Sequence, residues 1–267
     1  MTNFTINIVS DPVCPWCYIG KKRLDRAITL YQKVYPGGRH DTFTISWNAF
    51  YLDPSAPVPG ISWAERHAQK LKSSKSKSKS SNNNTTTTTK QGSNDSNEAS
   101  GSGPIQKLQD RLASIGRQEG IAFSFAGKIG NTRSAHRAIA FTKAHRDKAQ
   151  SDPQVHDRFV MALFSSYFEG EGDITSHKTL ADVAEEVGLS RQEMMEWLDG
   201  GGGGKEVDDE VLQAKTLGIT GVPCFMVQGQ TVDGAQDEQA FLEVFVRVKE
   251  EEQALAEAGQ AKSVISA

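Results

Sequence analysis

Four stretches of this 267-residue chain read as strands, and they come in two widely separated pairs. Near the start, "FTINIV" sets Phe4, Ile6 and Ile8 on one side, and "TFTISWNAF" does the same with Phe43, Ile45 and Trp47. Near the end, "CFMVQGQTVDGA" divides into two short strands at Gln228-Gly229, a dipeptide suited to a tight hairpin. Two strands alone make a marginal sheet, so neither pair is self-sufficient. The pairs are expected to join into one four-stranded sheet, an α/β fold into which everything between them is inserted. Between the first two strands, Ile19, Leu24, Ala27, Ile28 and Tyr31 recur at helical spacing, which makes a strand–helix–strand crossover with parallel strands.

The inserted chain has two parts. "KSSKSKSKSSNNNTTTTTKQGSNDSNEASGSG", Lys72 to Gly103, holds no aromatic residue and no aliphatic one larger than alanine. It buries too little surface to offset the entropy of ordering, so a solvated, disordered loop within one fold is expected. After it the pattern is helical. Ile105, Leu108, Leu112 and Ile115 share a face; Ala135, Ile139 and Phe141 mark a helix that Asn131 or Thr132 would cap. Val155, Phe159, Val160, Leu163, Phe164 and Tyr167 mark another, with Pro153 near its first turn. Leu180, Val183, Ala184 and Val187 end at Gly188; Ser190 and Glu193 stand at capping-box spacing ahead of Met194, Trp197 and Leu198. The run Gly200 to Gly204 reads as a slack surface turn rather than a phosphate cradle, because no Lys-Ser/Thr pair follows it. Val207, Val211, Leu212 and Ala214 form one more short helix. The expected divisions are a first half-domain (1–71), a low-complexity insertion (72–103), a helical insertion (104–218), a second half-domain (219–250) and a frayed charged tail (251–267).

Composition narrows the function classes. A net charge of −3 gives no basic surplus for nucleic acid, and no apolar run approaches the ~18 residues of a membrane span. The N-terminus "MTNFTINIVSDP" has neither a basic leader nor a small-residue cleavage site. Three cysteines cannot make a disulfide framework, and the odd count suits a reducing compartment, so a cytoplasmic protein is expected, the nucleus staying open.

Two of those cysteines carry the chemistry. Cys14-Pro15-Trp16-Cys17 follows the first strand and opens the first helix. Proline is favoured at the first helical position, which sets Cys14 at or beside the N-cap and Cys17 within the first turn. A sulfur there meets unpaired backbone N–H groups and the positive end of the helix dipole, both of which favour the thiolate. A free cysteine has a pKa of about 8.5; at such a site it falls to roughly 3.5–7.5. Cys14 is then the expected nucleophile, and Cys17 is placed to attack a mixed disulfide. Three other readings stand beside this one. A structural disulfide at this spacing closes too small a loop to stabilise much. A zinc site needs a fourth ligand beyond Cys14, Cys17 and Cys224. Two ordinary core cysteines would leave the intervening proline unexplained.

Further on, "GITGVPCFMV" places Val222-Pro223 at a strand entry, where proline is tolerated. Spacing does not decide whether that bond is cis or trans; if cis, Val222 would present its backbone N–H and C=O to a passing extended peptide. Cys224 follows directly and reads as a small buried residue, with a regulatory disulfide as the alternative.

The stretches "SDPVCPWCYIGKKRL", "FYLDP", "NTRSAHRAIAF", "LFSSYFEGEGDITSHKTLADVAEEVGL", "GITGVPCFMV" and "VDGAQDEQAF" occur in this order. With them the chain resembles the DsbA-like thioredoxin-fold proteins, and among them the FrnE-type branch, related to 2-hydroxychromene-2-carboxylate isomerases and kappa-class glutathione transferases. The resemblance implies a thioredoxin-like four-stranded sheet with an inserted all-helical block. It implies disulfide oxidoreductase or isomerase activity with Cys14 and Cys17 as the redox pair, Pro223 as a cis proline, and Pro15, Trp16, Val222 and Pro223 as substrate-binding residues, the Pro-Trp pair also tuning the potential. It also implies Asn131 and His136 near the cysteines, against the plainer readings of a helix cap and a packed core histidine. The Pro-Trp centre departs from the Pro-His of strongly oxidising members, and Cys224 is absent from many relatives.

Three functions follow as expectations. The first is a thiol–disulfide oxidoreductase acting on protein or low-molecular-weight thiols, with no bound cofactor or metal, and with glutathione or a reductase as electron partner. No nucleic acid or membrane partner is expected. The second is a glutathione-dependent transferase or isomerase, in which one sulfur or hydroxyl at the first position activates glutathione. The third is a non-enzymatic metal- or partner-binding scaffold. No G-x-G-x-x-G follows a strand and opens a helix, so no nucleotide or flavin site is expected.

Overall fold

The computed structural model describes residues 1–62, 65, 66, 69, 103–146, 152 and 154–265. The chain opens with β1 (Asn3–Ser10), α1 (Pro15–Val34) and β2 (Thr42–Ala49). A middle block holds β3 (Ile61–Ser62), α2 (Pro104–Gln118), β4 (Lys128–Ile129), α3 (Arg133–Arg146), α4 (Val155–Phe168), α5 (His177–Glu186), α6 (Arg191–Asp199) and α7 (Gly204–Thr216). The end supplies β5 (Cys224–Val227), β6 (Gln230–Asp233) and α8 (Glu238–Ile265). The two pairs of strands do combine, in the order β2-β1-β5-β6. β1 and β2 are parallel, with Phe4, Ile6 and Ile8 opposite Phe43, Ile45 and Trp47, while β5 runs antiparallel to both its neighbours. Gln228 and Gly229 take φ of 45° and 88°, as a two-residue hairpin turn demands.

One face of this sheet is the core. Phe4, Ile6, Ile8 and Phe225 are fully buried against Tyr31 of α1 and against Phe241 and Phe245 of α8. The helical block is fastened there by Phe164 of α4, which stacks on Tyr18 at 5.3 Å and meets Trp47 edge-on at 5.8 Å. Gly20 lets α1 settle onto β5: a Cβ at that position would stand 3.0 Å from the Phe225 ring and 3.3 Å from Pro223. This close approach brings the head of α1 against the entry of β5. On the opposite face, Val9 and Cys224 pack with Ala214 of α7.

Several details depart from the sequence reading. The glycine run is not slack. Gly201 and Gly203 have φ of 79° and 72°, and Gly202 lies so close to Trp197 that a Cβ would fall 2.4 Å from the indole. The buried Arg137 guanidinium then donates to the carbonyls of Gly202 and Leu198, closing the end of α6. α8 continues to Ile265 instead of fraying from residue 251, because "EEEQALAEAGQAK" is made almost wholly of good helix formers. The capping box at α6 is half formed: the Ser190 hydroxyl accepts from the Glu193 N–H at 3.2 Å, but the Glu193 carboxylate turns to His145. β3 and β4 pair into a small second sheet that periodicity did not signal. The low-complexity stretch before Gly103, together with Pro153 and the side chain of Ile105, lies outside the described residues. Among those described, no helix is long and apolar enough to cross a membrane.

Candidate active site

Cys14 is the N-cap of α1, with extended backbone (φ −90°, ψ 110°) and Pro15 behind it in the first turn. Its carbonyl accepts from the N–H of Cys17 at 3.0 Å, and its own N–H donates to the Asp11 carbonyl at 2.8 Å. Both sulfurs are nearly sealed: Cys14 is 3% exposed and Cys17 is 0% exposed. They are nevertheless unequal. The Cys17 S–H donates to the Cys14 sulfur, and the N–H groups of Cys17 and Trp16 point at it; together these hold the Cys14 thiol below its ordinary range despite its burial. Cys17 is pushed well above its ordinary range, first by burial and then by the Cys14 sulfur itself. The thiolate is therefore favoured at Cys14 and disfavoured at Cys17. Both are free thiols, as is Cys224.

The facing wall comes from the entry of β5. The Val222–Pro223 peptide bond is cis, and the Val222 carbonyl lies 3.6 Å from the Cys14 sulfur. Val222, Pro15 and Trp16 are half-buried around the pair. Cys224, two residues on, points to the other face of the sheet with Val9 and Ala214. Burial and then Asp233 push its thiol up to about 11, so it shares neither the location nor the reactivity of the pair.

Asp11 is the site residue that sequence reasoning missed. It sits at 0% exposure beneath the dithiol, accepting from the Leu52 N–H at 2.8 Å, and burial raises its carboxyl to about 7. His136 stands 3.8 Å from it and is also buried. Desolvation lowers its imidazole to about 4, so the ring is neutral at pH 7 and hydrogen-bonds the Phe50 carbonyl at 3.0 Å. His136 thus reaches the cysteines through Asp11. Asn131 lies at the entry to α3, its Oδ1 accepting from the Arg133 N–H and its Nδ2 donating to the Pro54 carbonyl. An aspartate between a strand and a helix reads as a turn former, and nothing in its neighbours announced a buried acid.

The Asp11 carboxyl fixes a pH dependence. Its folded value lies above the ordinary 3.8, so the stability it contributes is fully present below that value and lost as pH rises through about 7. Once ionised, it opposes the Cys14 thiolate. The rate of Cys14 alkylation between pH 5 and 9 (about the range set by these two groups) should carry an inflection near 7. Asp11→Asn should remove that inflection and move Cys14 ionisation to lower pH. A single unperturbed titration in both chains would show that Asp11 does not sense the sulfur.

A mixed four-stranded sheet with two sulfurs at the head of its first helix, and a proline opening the strand that faces them, defines a thioredoxin-fold protein with a helical insertion. The model of the DSBA-like thioredoxin domain matches residues 5–246, and the chain belongs to that family. No curated protein matches it. Among solved structures it is similar to a probable DsbA oxidoreductase from Streptomyces coelicolor, at 22% identity over 93% of this chain and 91% of that one, with a TM-score of 0.67. It is also similar to a 2-hydroxychromene-2-carboxylate isomerase, at 14% identity over 94% and 98%, with a TM-score of 0.58. A third is the cytosolic disulfide reductase DsbM from Pseudomonas aeruginosa with GSH, at 15% identity over 91% and 99%, with a TM-score of 0.51. At these identities the likeness is one of fold.

Proposed function

We propose that the chain is a thiol–disulfide oxidoreductase in which Cys14 is the nucleophile and Cys17 the resolving thiol. The observation that carries this is the placement of two adjacent sulfurs at one helix N-terminus, Cys14 as the N-cap with Pro15 behind it and Cys17 wholly buried in the first turn, an asymmetry that favours the thiolate at Cys14. The Cys14 thiolate attacks a substrate disulfide, forms a mixed disulfide and expels one thiolate. Cys17 then loses its proton and attacks the Cys14 sulfur, which releases the second thiolate and leaves a Cys14–Cys17 disulfide. The substrate gains the two electrons that the chain loses, and the reverse sequence oxidises a dithiol. No cofactor is required by these steps. The substrates are protein or low-molecular-weight thiols and disulfides, glutathione among them. Support for glutathione is the fold shared with the disulfide reductase solved with GSH, and a cytoplasmic location fits the cytosolic description of that protein. The glutathione-dependent isomerase reading needs only one sulfur; the Cys17 S–H resting on Cys14 ranks dithiol chemistry ahead of it.

Equilibration of the full chain with mixtures of reduced and oxidised glutathione, acid quenching and alkylation should give a two-electron transition confined to Cys14 and Cys17. Two thiols that stay open to alkylation at every ratio would reject the proposal.

A further inference from the structure

Ser10, the last residue of β1, holds a buried hydroxyl that the scheme above does not use. Ser10 is 4% exposed, and among the described residues its Oγ has no nitrogen or oxygen partner. Native proteins seldom leave a buried hydroxyl unpaired, because it has given up water for nothing. Ser10 stands on the same face of β1 as Ile6 and Ile8, and its backbone is fixed there: its carbonyl accepts from the Phe50 N–H at 3.0 Å. The hydroxyl is turned toward the sulfur of Cys17, the member of the pair with no exposure to water. Burial and Cys14 oppose an anion on Cys17, and the groups that favour one are this hydroxyl and the Asp11 N–H.

The resting pair does not need the Ser10 proton, because Cys17 is then a thiol donating to Cys14. The need arises in the second step. When Cys14 is tied up in a mixed disulfide, the Cys17 hydrogen bond to a Cys14 anion is lost, and Cys17 must itself become an anion where water does not reach. A hydroxyl rotates about its C–O bond without moving heavy atoms, so it can turn its proton to the sulfur as charge develops. A donor already in place costs no reorganisation at that moment.

We propose that the Ser10 hydroxyl stabilises the Cys17 sulfur anion during release of the mixed disulfide, a donor already facing that sulfur in the resting site and spoken for by no nitrogen or oxygen among the described residues. This rests on the dithiol reading above. It concerns the second exchange only: Cys14 has its own donors in the Cys17 and Trp16 N–H groups.

The test separates the two exchanges in one time course. The reduced full chain, in a Cys224→Ala background, is mixed with the chromogenic disulfide dithiobis(nitrobenzoate). Attack by Cys14 releases one coloured thiolate and leaves nitrothiobenzoate on Cys14. Attack by Cys17 on that sulfur, with its proton passing to the medium, forms the Cys14–Cys17 disulfide and releases a second. Ser10→Ala should leave the first phase unchanged and slow the second by about 10- to 100-fold, the range spanned by a hydrogen bond to a charged group. Ser10→Thr, which restores a hydroxyl, should recover most of the loss. The unchanged first phase shows that the site is still folded, and a purely structural role would not divide the phases in this way. A second phase in Ser10→Ala within twofold of the parent, or equal slowing in the alanine and threonine variants, overturns the inference while leaving the dithiol reading intact. A parent chain that releases only one equivalent overturns the dithiol reading and this inference with it.

Discussion

Cys17→Ser is expected to arrest the chain on its substrate. The variant keeps the Cys14 nucleophile at the head of α1, with the Trp16 N–H and the residue-17 N–H still directed at it. The first exchange therefore proceeds. No sulfur remains to attack the mixed disulfide, and turnover should fall by at least on the order of 10³-fold, the scale on which loss of a covalent participant acts. Non-reducing electrophoresis of cell extract should show adducts that disappear on reduction and whose linkage maps to Cys14. Cys14→Ser should be equally inactive but form no adduct, because the remaining sulfur of the pair is wholly buried and holds its proton. Serine at position 14 also removes the anion that raises Cys17, yet burial, the larger cause, persists. Equal adduct formation by the two variants would show that the sulfurs are interchangeable, which the geometry forbids.

The parts of this site that periodicity and helix-end chemistry control were legible before the fold was known. Cys14 and Cys17 fall where a strand ends and Pro15 starts a helix, so their contact with backbone N–H groups follows from local rules alone. Gln228-Gly229 announced its hairpin for the same reason. What stayed hidden depends on where a distant part of the chain returns. Asp11 becomes a buried acid because the chain leaving β2 folds over it, with Phe50 and Leu52 donating to Ser10 and Asp11 in turn. Ser10 acquires its setting from the same fold-back. Lys21, in a helix read only from its apolar positions, is 1% exposed and bridges Asp25 of its own helix and Asp157 of α4. Lysine is so seldom buried without a partner that only knowing where α4 packs reveals it. The glycine run misled in the other direction: its composition signals freedom, but the indole of Trp197 fills the space that side chains would have taken.

The largest loss of stability is expected far from the sulfurs, at Asp41. Its side chain is 0% exposed and closes the start of the sheet: it accepts from the Thr2 N–H at 2.6 Å, from the Tyr31 hydroxyl at 3.0 Å and from the Lys249 ammonium at 2.7 and 2.8 Å. β1, α1 and α8 are joined through this one carboxylate. Burial acts to raise it, but the Lys249 ammonium, the Thr2 N–H and the Tyr31 hydroxyl together hold it below the usual carboxylate range. Its contribution is thus present above the ordinary aspartate value and lost as pH falls through the lower folded value, in the acid range under about pH 4. Asp41→Ala strands the Lys249 ammonium, itself only 7% exposed, without a counter-charge. Removing one partner of a buried pair costs about 3–5 kcal/mol, a large share of the roughly 5–15 kcal/mol that separates folded from unfolded domains. Urea unfolding at pH 7 should show that loss as a lower midpoint with an unchanged slope. Adding Lys249→Met should recover much of it, since the stranded charge, and not the missing attraction, carries most of the penalty. The difference between parent and Asp41→Ala should also shrink as pH falls through the folded value of Asp41, which lies below the ordinary 3.8. If Asp41→Ala unfolds at the same urea concentration as the parent, the three elements are held by the Phe4, Tyr31 and Phe245 rings alone, and the ion pair only decorates a contact that packing already secures.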